Sequence, residues 1–468
     1  MTPKAALLLS LTLLAPLATP ATRAQQDASL YLTNPDRSAL LQLQSPAIPF
    51  TTATPSNQVI DVDPTHTFQT MDGFGFALTG GSAQLLMHMS PASRAAILHE
   101  LFTTTGDGIG VSYLRLTVGS SDMNDHVYSY DDLPKGETDT ALAHFSLAPD
   151  QADVIPVMKE ILALQPNIHL LASPWSAPVW MKTNDAAQGG VLKPEYFHAY
   201  AAYLVKYLQG MQAQGIHIDA LTIQNEPLNE KNTPSMLMLS PEQAEFIKTD
   251  LGPALRAAGL KTKIVLYDHN LDHPLYPLSI LRDPAAAKYV DGSGFHLYGG
   301  TVDAMTQVHD AFPKKNLYFT EQMVTDRDPN GPINLSSPVA RIVIGATRNW
   351  SKNVLLWNLA ADPNNGPHTS NGGCPVCTGA ITINGDKVTR NVAFYTIAHA
   401  SKFVPTGSVR IASNTLDTLP NVAFKTPDGK KVLIVSNTTA TPQTFNVHTG
   451  SKTLTTSLNP GSVGTYIW

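Results

Sequence analysis

Two glutamates, Glu226 in "ALTIQNEPLNE" (residues 220–230) and Glu321 in "LYFTEQ", each close an apolar run of the kind that forms a buried strand. Taken alone, Gln224-Asn225-Glu226-Pro227 reads as a polar turn that ends such a strand. A pair of carboxylates facing across a cleft, however, is what glycoside hydrolysis uses. One protonates the leaving oxygen, the other attacks the anomeric carbon or activates water, and a separation of roughly 5–5.5 Å selects the covalent, retaining route. The two glutamates lie 95 positions apart (321 − 226), so this chemistry requires a fold that brings two strand ends to one mouth. Pro227 disfavours the helical region for the residue before it and is expected to hold Glu226 extended and outward. Asn225 is a neutral donor suited to a sugar hydroxyl beside the reacting centre.

The elements that would position them alternate regularly from about residue 68 to residue 404. Eight short apolar or β-rich runs stand out: "TMDGFGFAL", "GVSYLRLTV", "IHLLASPW", "DALTIQNE", "TKIVLYDH", "GSGFHLYG", "KNLYFTEQ" and "NVLLWNLA". Segments of helical periodicity lie between them. In 193–215, Tyr196, Phe197, Tyr200, Leu204, Tyr207 and Leu208 recur at steps of three and four, behind a Pro194 suited to a first helical turn. In 240–259, Ser240 is the expected N-cap, Glu242 and Glu245 suit the positive end of the dipole, and Pro253 is expected to kink the helix. Eight strand–helix pairs predict a (β/α)8 barrel, an α/β fold whose active site lies at the C-terminal strand ends. Glu226 then ends the fourth strand and Glu321 the seventh. A doubly wound dinucleotide fold is disfavoured, because "DGFGFALTGG" has Leu78 where the third glycine belongs, and no helical pattern is evident there.

The rest of the chain reads as β. Residues 405–468 alternate apolar and polar positions between Asn, Pro and Gly turns, and 28–65 lack helical period. The expected division is an export signal over 1–24, a catalytic barrel over 66–404, and an accessory β-sandwich built from 28–65 and 405–468. The first residues, "MTPKAALLLSLTLLAPLATPATRAQQ", combine a positive start, a short apolar stretch and, in Thr22-Arg23-Ala24, small residues at the two positions a signal peptidase inspects. This predicts a secreted or periplasmic protein without stable membrane insertion.

Hydrophobic residues make up 43% of the 468, charged residues only 15%, and the formal net charge is −6. With no Lys/Arg-rich run, nucleic acid has little electrostatic support as a partner. A carbohydrate or glycolipid fits the neutral character better. Cys374 and Cys377, in "GGCPVCTG", are expected to form a local disulfide: the neighbouring Gly and Pro give neither the strand nor the helix of a redox motif, and no further ligands at zinc spacing lie nearby. Oligomeric state is not written in these features.

From about residue 66 to residue 410 the chain resembles glycoside hydrolase family 30, the family of glucosylceramidases and related β-1,6-glucanases and β-glucosidases. The matching segments, in order, are "LRLTVGSSDM", "LLASPWSAPVWMKTN", "TIQNEP", "FHLY", "YFTEQ", "LLWNLAADPNNGP" and "FYTIAHASKFVPTGS". The resemblance implies a barrel with a β-sandwich, retention of configuration, no metal and no other cofactor, with Glu226 as acid/base and Glu321 as nucleophile. As the acid, Glu226 should have its pKa raised by burial and by the charge of Glu321. The resemblance also implies that Arg115 supports the nucleophile and that Asp122 is a charged acceptor of sugar hydroxyls. Trp175 and Trp357 are implied as walls for a pyranose ring, and His296 and Tyr298 as sixth-strand residues near the carboxylates. Two departures, Thr233 in the loop after Glu226 and "TEQM" after the nucleophile, are expected beside the aglycone or next sugar. The implied function is a glucosylceramidase-like β-glucosidase. An endo-β-1,6-glucanase is the alternative within the class, and a carbohydrate-binding protein without catalysis the alternative outside it.

Overall fold

The computed structural model describes residues 27–326 and 331–468. The segment read as an export signal lies outside the described residues. All eight runs singled out above are strands, and they close into a parallel barrel: Gly73–Leu78, Tyr113–Val118, His169–Pro174, Ala220–Thr222, Lys263–Asn270, Val290–His296, Asn316–Glu321 and Ser351–Asn358. Nearly every strand residue is buried, as expected where helices cover the outside and side chains fill the lumen. Tyr113, Leu171, Ala220, Val265, Tyr318 and Leu355 form one buried apolar cluster, contributed by the second, third, fourth, fifth, seventh and eighth strands.

The helices follow the sequence pattern with instructive differences. Pro194–Tyr196 is a 3-10 turn leading into the helix Phe197–Ala213, whose Phe197, Tyr200, Leu204, Tyr207 and Leu208 are buried. Ser240 is the first helical residue rather than the cap; Leu239 precedes the helix, and its N–H donates to the Glu242 carboxylate at 2.7 Å. Pro253 does not simply break this helix. A π-helical turn at Ile247–Leu251 carries the chain into the next helical piece, Gly252–Ala257, one way a helix absorbs a residue that cannot donate.

A helix does open after the first strand, contrary to the sequence reading. It spans Gly80–His88, and Thr79 caps it by accepting the Ser82 N–H. Gly80 and Gly81 hid it, because glycine is a poor helix former. Space explains them: a Cβ on Gly80 would stand 2.0 Å from Asn124 Nδ2, and one on Gly81 2.5 Å from the Met123 carbonyl oxygen. The pair lets the 121–124 turn, which carries Asp122, rest on the helix.

The remaining strands form a nine-stranded sheet among the described residues, joining Ser29–Thr33, Gln42–Leu43 and Gln58–Thr70 to six strands after residue 408. The first part of Gln58–Thr70 pairs in parallel with Gln443–Thr449, and its later part antiparallel with Val409–Ser413. One strand thus serves both halves of the sheet, which closes over Ile60, Val62, Leu433, Val435, Phe445 and Tyr466. Among the described residues no helix is long and apolar enough to cross a membrane.

Candidate active site

At the C-terminal mouth of the barrel an open cleft of about 470 Å³ is lined by Asp122, Trp175, Asn225, Glu226, Tyr298, Glu321 and Trp357, among others. Two larger cavities, about 700 and 560 Å³, lie elsewhere. The 560 Å³ cavity borders Ser112, His169 and Asp219, at the N-terminal ends of strands. Stability rather than chemistry is the ordinary role of that face in a barrel of this kind; Asp219 is the one carboxylate on its lining, and in the 700 Å³ cavity Glu100 is taken up by an ion pair with Arg390.

Glu226 and Glu321 meet in the cleft. His296 Nδ1 stands 3.1 Å from Glu226 Oε1 and 3.9 Å from Glu321 Oε1, so the two oxygens are separated by no more than those distances laid end to end. Glu321 Oε2 accepts from Arg115 Nη1 at 2.5 Å, and Oε1 accepts from the Tyr298 hydroxyl at 2.9 Å. Glu226 Oε2 accepts from Asn229 Nδ2 at 2.6 Å. Its backbone is not extended: φ is +46°. The Glu226 N–H donates to the Asp268 carbonyl and its own carbonyl accepts from the Asn229 N–H, so the chain turns sharply and the preference imposed by Pro227 is overridden. A non-glycine residue in this region costs on the order of 1–3 kcal/mol and persists only where its surroundings over-determine it.

Beneath the cleft lies a charged network that the sequence reading missed. Asp268, fully buried, accepts from Arg115 Nη2 (2.8 Å), Thr222 Oγ1 (2.8 Å), Thr320 Oγ1 (2.6 Å) and His296 Nε2 (3.0 Å). Arg115 also donates to Ser173 Oγ at 3.0 Å and to Asn225 Oδ1 at 2.6 Å. The latter bond fixes the Asn225 amide so that its NH2 is the group left for the cleft. Asp268 and His269 close the fifth strand as Glu226 closes the fourth, so the same strand-end logic would have found them. Their orientation was not legible, because Tyr267 and Asp268 have φ of +75° and +66° and the pairing with the sixth strand shifts there.

This network sets the charges. Burial alone would discharge His296, but the Glu321 charge and the hydrogen bonds to Asp268 and Glu226 lift it to about 9. Both nitrogens then donate, which only the cation can do. Burial raises the Glu226 carboxyl, yet the His296 bond and charge outweigh it and hold Glu226 down at about 2. The expected upward shift of Glu226 is therefore not found, and the proton sits one hydrogen bond away on His296. Glu321 is raised, chiefly by burial, against the pull of His296 and Arg115. Asp122 is pushed up to about 8 by burial and by the charges of Glu321 and Glu226, which favours its neutral form over the charged acceptor expected. Its Oδ1 is buried without a hydrogen bond, as is Trp175 Nε1. His269, by contrast, is lowered to about 4 by burial. Glu226, His269 and His296 each place a ligand-type atom within 4.8 Å of the others. His296, charged and with both nitrogens donating, to Glu226 and Asp268, has no lone pair to offer a metal, so this cluster suits proton transfer.

The aromatic residues do more than offer ring faces. Trp175 is only 1% exposed; the Arg115 guanidinium sits 4.8 Å from its ring centroid, and Trp357 packs 5.3 Å away. Cys374 and Cys377 are joined and line the same cleft, with Cys377 packed in a cluster with Ala77, Met123, Trp175 and Trp357. The bridge therefore forms cleft wall. Thr233 does not: its carbonyl accepts from Thr369 Oγ1, while Lys231 and Asn232 occupy the rim in its place. Of the "TEQM" departure, Met323 reaches the cleft.

Residues 71–404 match the glycosyl hydrolase family 30 TIM-barrel domain, and residues 407–466 match the glycosyl hydrolase family 30 beta sandwich domain. An endo-1,6-beta-D-glucanase of Neurospora crassa is 37% identical over 396 residues, covering 81% of each chain. The lysosomal acid glucosylceramidase of Mus musculus is 31% identical over 441 residues, covering 88% of this chain and 83% of its own. A solved endo-beta1,6-glucanase superposes with a TM-score of 0.87 at 35% identity, over 94% of this chain and 99% of its own.

Proposed function

The chain belongs to glycoside hydrolase family 30, and from that premise we propose that Glu321 is the nucleophile and Glu226 the acid/base of a retaining hydrolysis of β-glucosidic bonds. The observation that carries this reading is the shared reach of His296 Nδ1 to both carboxylates, at 3.1 and 3.9 Å. Glu321 attacks the anomeric carbon as the bond to the leaving oxygen breaks, and Glu226 delivers a proton to that oxygen. Water then adds to the anomeric carbon, giving its proton to Glu226 and releasing Glu321. The first proton is stored on His296 Nδ1 and passes to Glu226 across their hydrogen bond. Arg115 and Tyr298 orient Glu321 for attack. Asn225, Asp122 and the Trp175 indole N–H hold the sugar's hydroxyls; Trp357 bounds its ring.

The proposed substrate is a β-1,6-linked glucan, supported by the two glucanase relatives above and by the polar rim of Asn229, Lys231, Asn232 and Asn270. A glucosylceramide-like glycolipid is the second reading, favoured by the extent of the match to the mouse glucosylceramidase. The disulfide and the N-terminal sequence support action outside the cytoplasm, in medium or periplasm. The division of the chain at residues 66 and 404 is part of the same reading.

Incubation with an activated 2-deoxy-2-fluoroglucoside, followed by peptide mass spectrometry, tests the assignment: the sugar is expected on the peptide carrying Glu321. Label on Glu226, or on neither, overturns it. Sugar release from a linear β-1,6-glucan and from glucosylceramide vesicles, measured side by side, tests the substrate.

A further inference from the structure

Between the second barrel strand and the helix Val154–Leu164 the chain makes a long excursion that begins with the Asp122 turn. Further along it, Asp131 is 1% exposed, and neither of its carboxylate oxygens has a hydrogen-bond partner among the described residues. Buried carboxylate oxygens are rarely left so, because desolvation without compensation is costly. The residue cannot turn away easily: its N–H donates to Ser129 Oγ at 3.2 Å and its carbonyl accepts from Trp180 Nε1 at 3.0 Å.

What the carboxylate faces is Asp139 and His144. One donor atom from each of the three residues lies within 4.8 Å of the other two. Asp139 is itself held in a tight turn, with Oδ2 accepting from the His144 N–H at 2.8 Å and lying 2.9 Å from its Nδ1. Two carboxylates brought together beside an imidazole, one of them with no donor of its own, lack a positive charge between them.

We propose that Asp131, Asp139 and His144 bind a divalent cation of the zinc class, completed by water. The imidazole separates this donor set from a calcium or magnesium site, which draws on oxygen alone, and calcium takes six to eight ligands. Around zinc, with bonds of roughly 2.0–2.2 Å, tetrahedral ligand atoms stand about 3.3–3.6 Å apart, so the Asp139–His144 pair, now at 2.9 Å, has to open a little to admit the ion while Asp131, within 4.8 Å of both, supplies the third ligand. The His144 side chain, 69% exposed, leaves an entry path. None of the three lines the carboxylate cleft. The ion ties the far end of the excursion to its middle and steadies the loop that carries Asp122, without entering the reaction.

The test is calorimetric titration of zinc chloride into the chelator-stripped full-length protein, with melting temperature as a second readout. We expect one saturating site and a melting temperature that rises with zinc. Both should survive Glu226→Gln, which removes a ligand of the other donor cluster, and vanish in Asp131→Asn. His144→Ala, whose side chain packs against little, should weaken binding at least roughly tenfold and decides the matter if Asp131→Asn fails to fold. No zinc uptake, unchanged isotherms in both loop variants, or a preference for calcium would overturn the proposal.

Discussion

His296 Nδ1 and Glu226 Oε1 lie 3.1 Å apart, the histidine fully buried and the glutamate reaching solvent only at the cleft, and the histidine carries the charge. Its other nitrogen is fixed on Asp268 at 3.0 Å, so the cation has no other orientation to adopt. The acid of this enzyme is therefore a pair of residues sharing one mobile proton, and its titration belongs to the pair.

Replacing His296 by Asn should move the pH profile. In the wild type, kcat/KM is expected to fall as pH rises through about 9, where His296 loses its proton. In His296→Asn the proton must reside on Glu226 itself, so the alkaline limb shifts to lower pH, with a loss of roughly 10²-fold at neutral pH. Stability follows the same sign: the contribution of a raised histidine is complete below its ordinary value near 6.5 and is lost as pH climbs through about 9. An unmoved alkaline limb would remove His296 from the proton path.

Asp268→Asn should be among the most damaging single changes. It leaves Arg115 without a completely buried counter-ion and His296 without its anchor. Breaking a buried pair from one side costs about 3–5 kcal/mol, to be read from denaturant unfolding. In the fraction that folds, the histidine's raised pKa should fall, visible by NMR, together with kcat more than KM. Wild-type stability in the variant would show that the network is not what holds the two groups.

Asp122→Asn separates binding from charge. A carboxyl raised to about 8 binds a proton in the folded state that the unfolded chain has released, so wild-type stability falls as pH rises from about 4 to 8. The Asn variant should lose that slope and equal or exceed the wild type in stability above pH 8, while KM rises. Thermal melts across pH, paired with kinetics, check both halves; a variant that keeps the slope would show that Asp122 is not its source.

The barrel was legible because its eight strands are short, apolar and evenly spaced, a pattern local to each segment. Glu226, Glu321, Asp268 and His269 could all be placed at strand ends on that basis alone. The helix Gly80–His88 was hidden, because its two glycines answer to the close approach of Asn124 and Met123 rather than to helix propensity. The left-handed turn at Glu226 was hidden too, imposed by hydrogen bonds to Asp268 and Asn229 against the bias of Pro227.

What the amino-acid order determined, then, was the set of elements and which acids stand at their ends, since both follow from neighbours within a few residues. Only the tertiary structure decided which acid is ionised and where the proton waits. Burial removes the screening water, so charges from the second, fifth, sixth and seventh strands act on one another at about 3 Å, and at that range a single hydrogen bond outweighs anything a local stretch can encode.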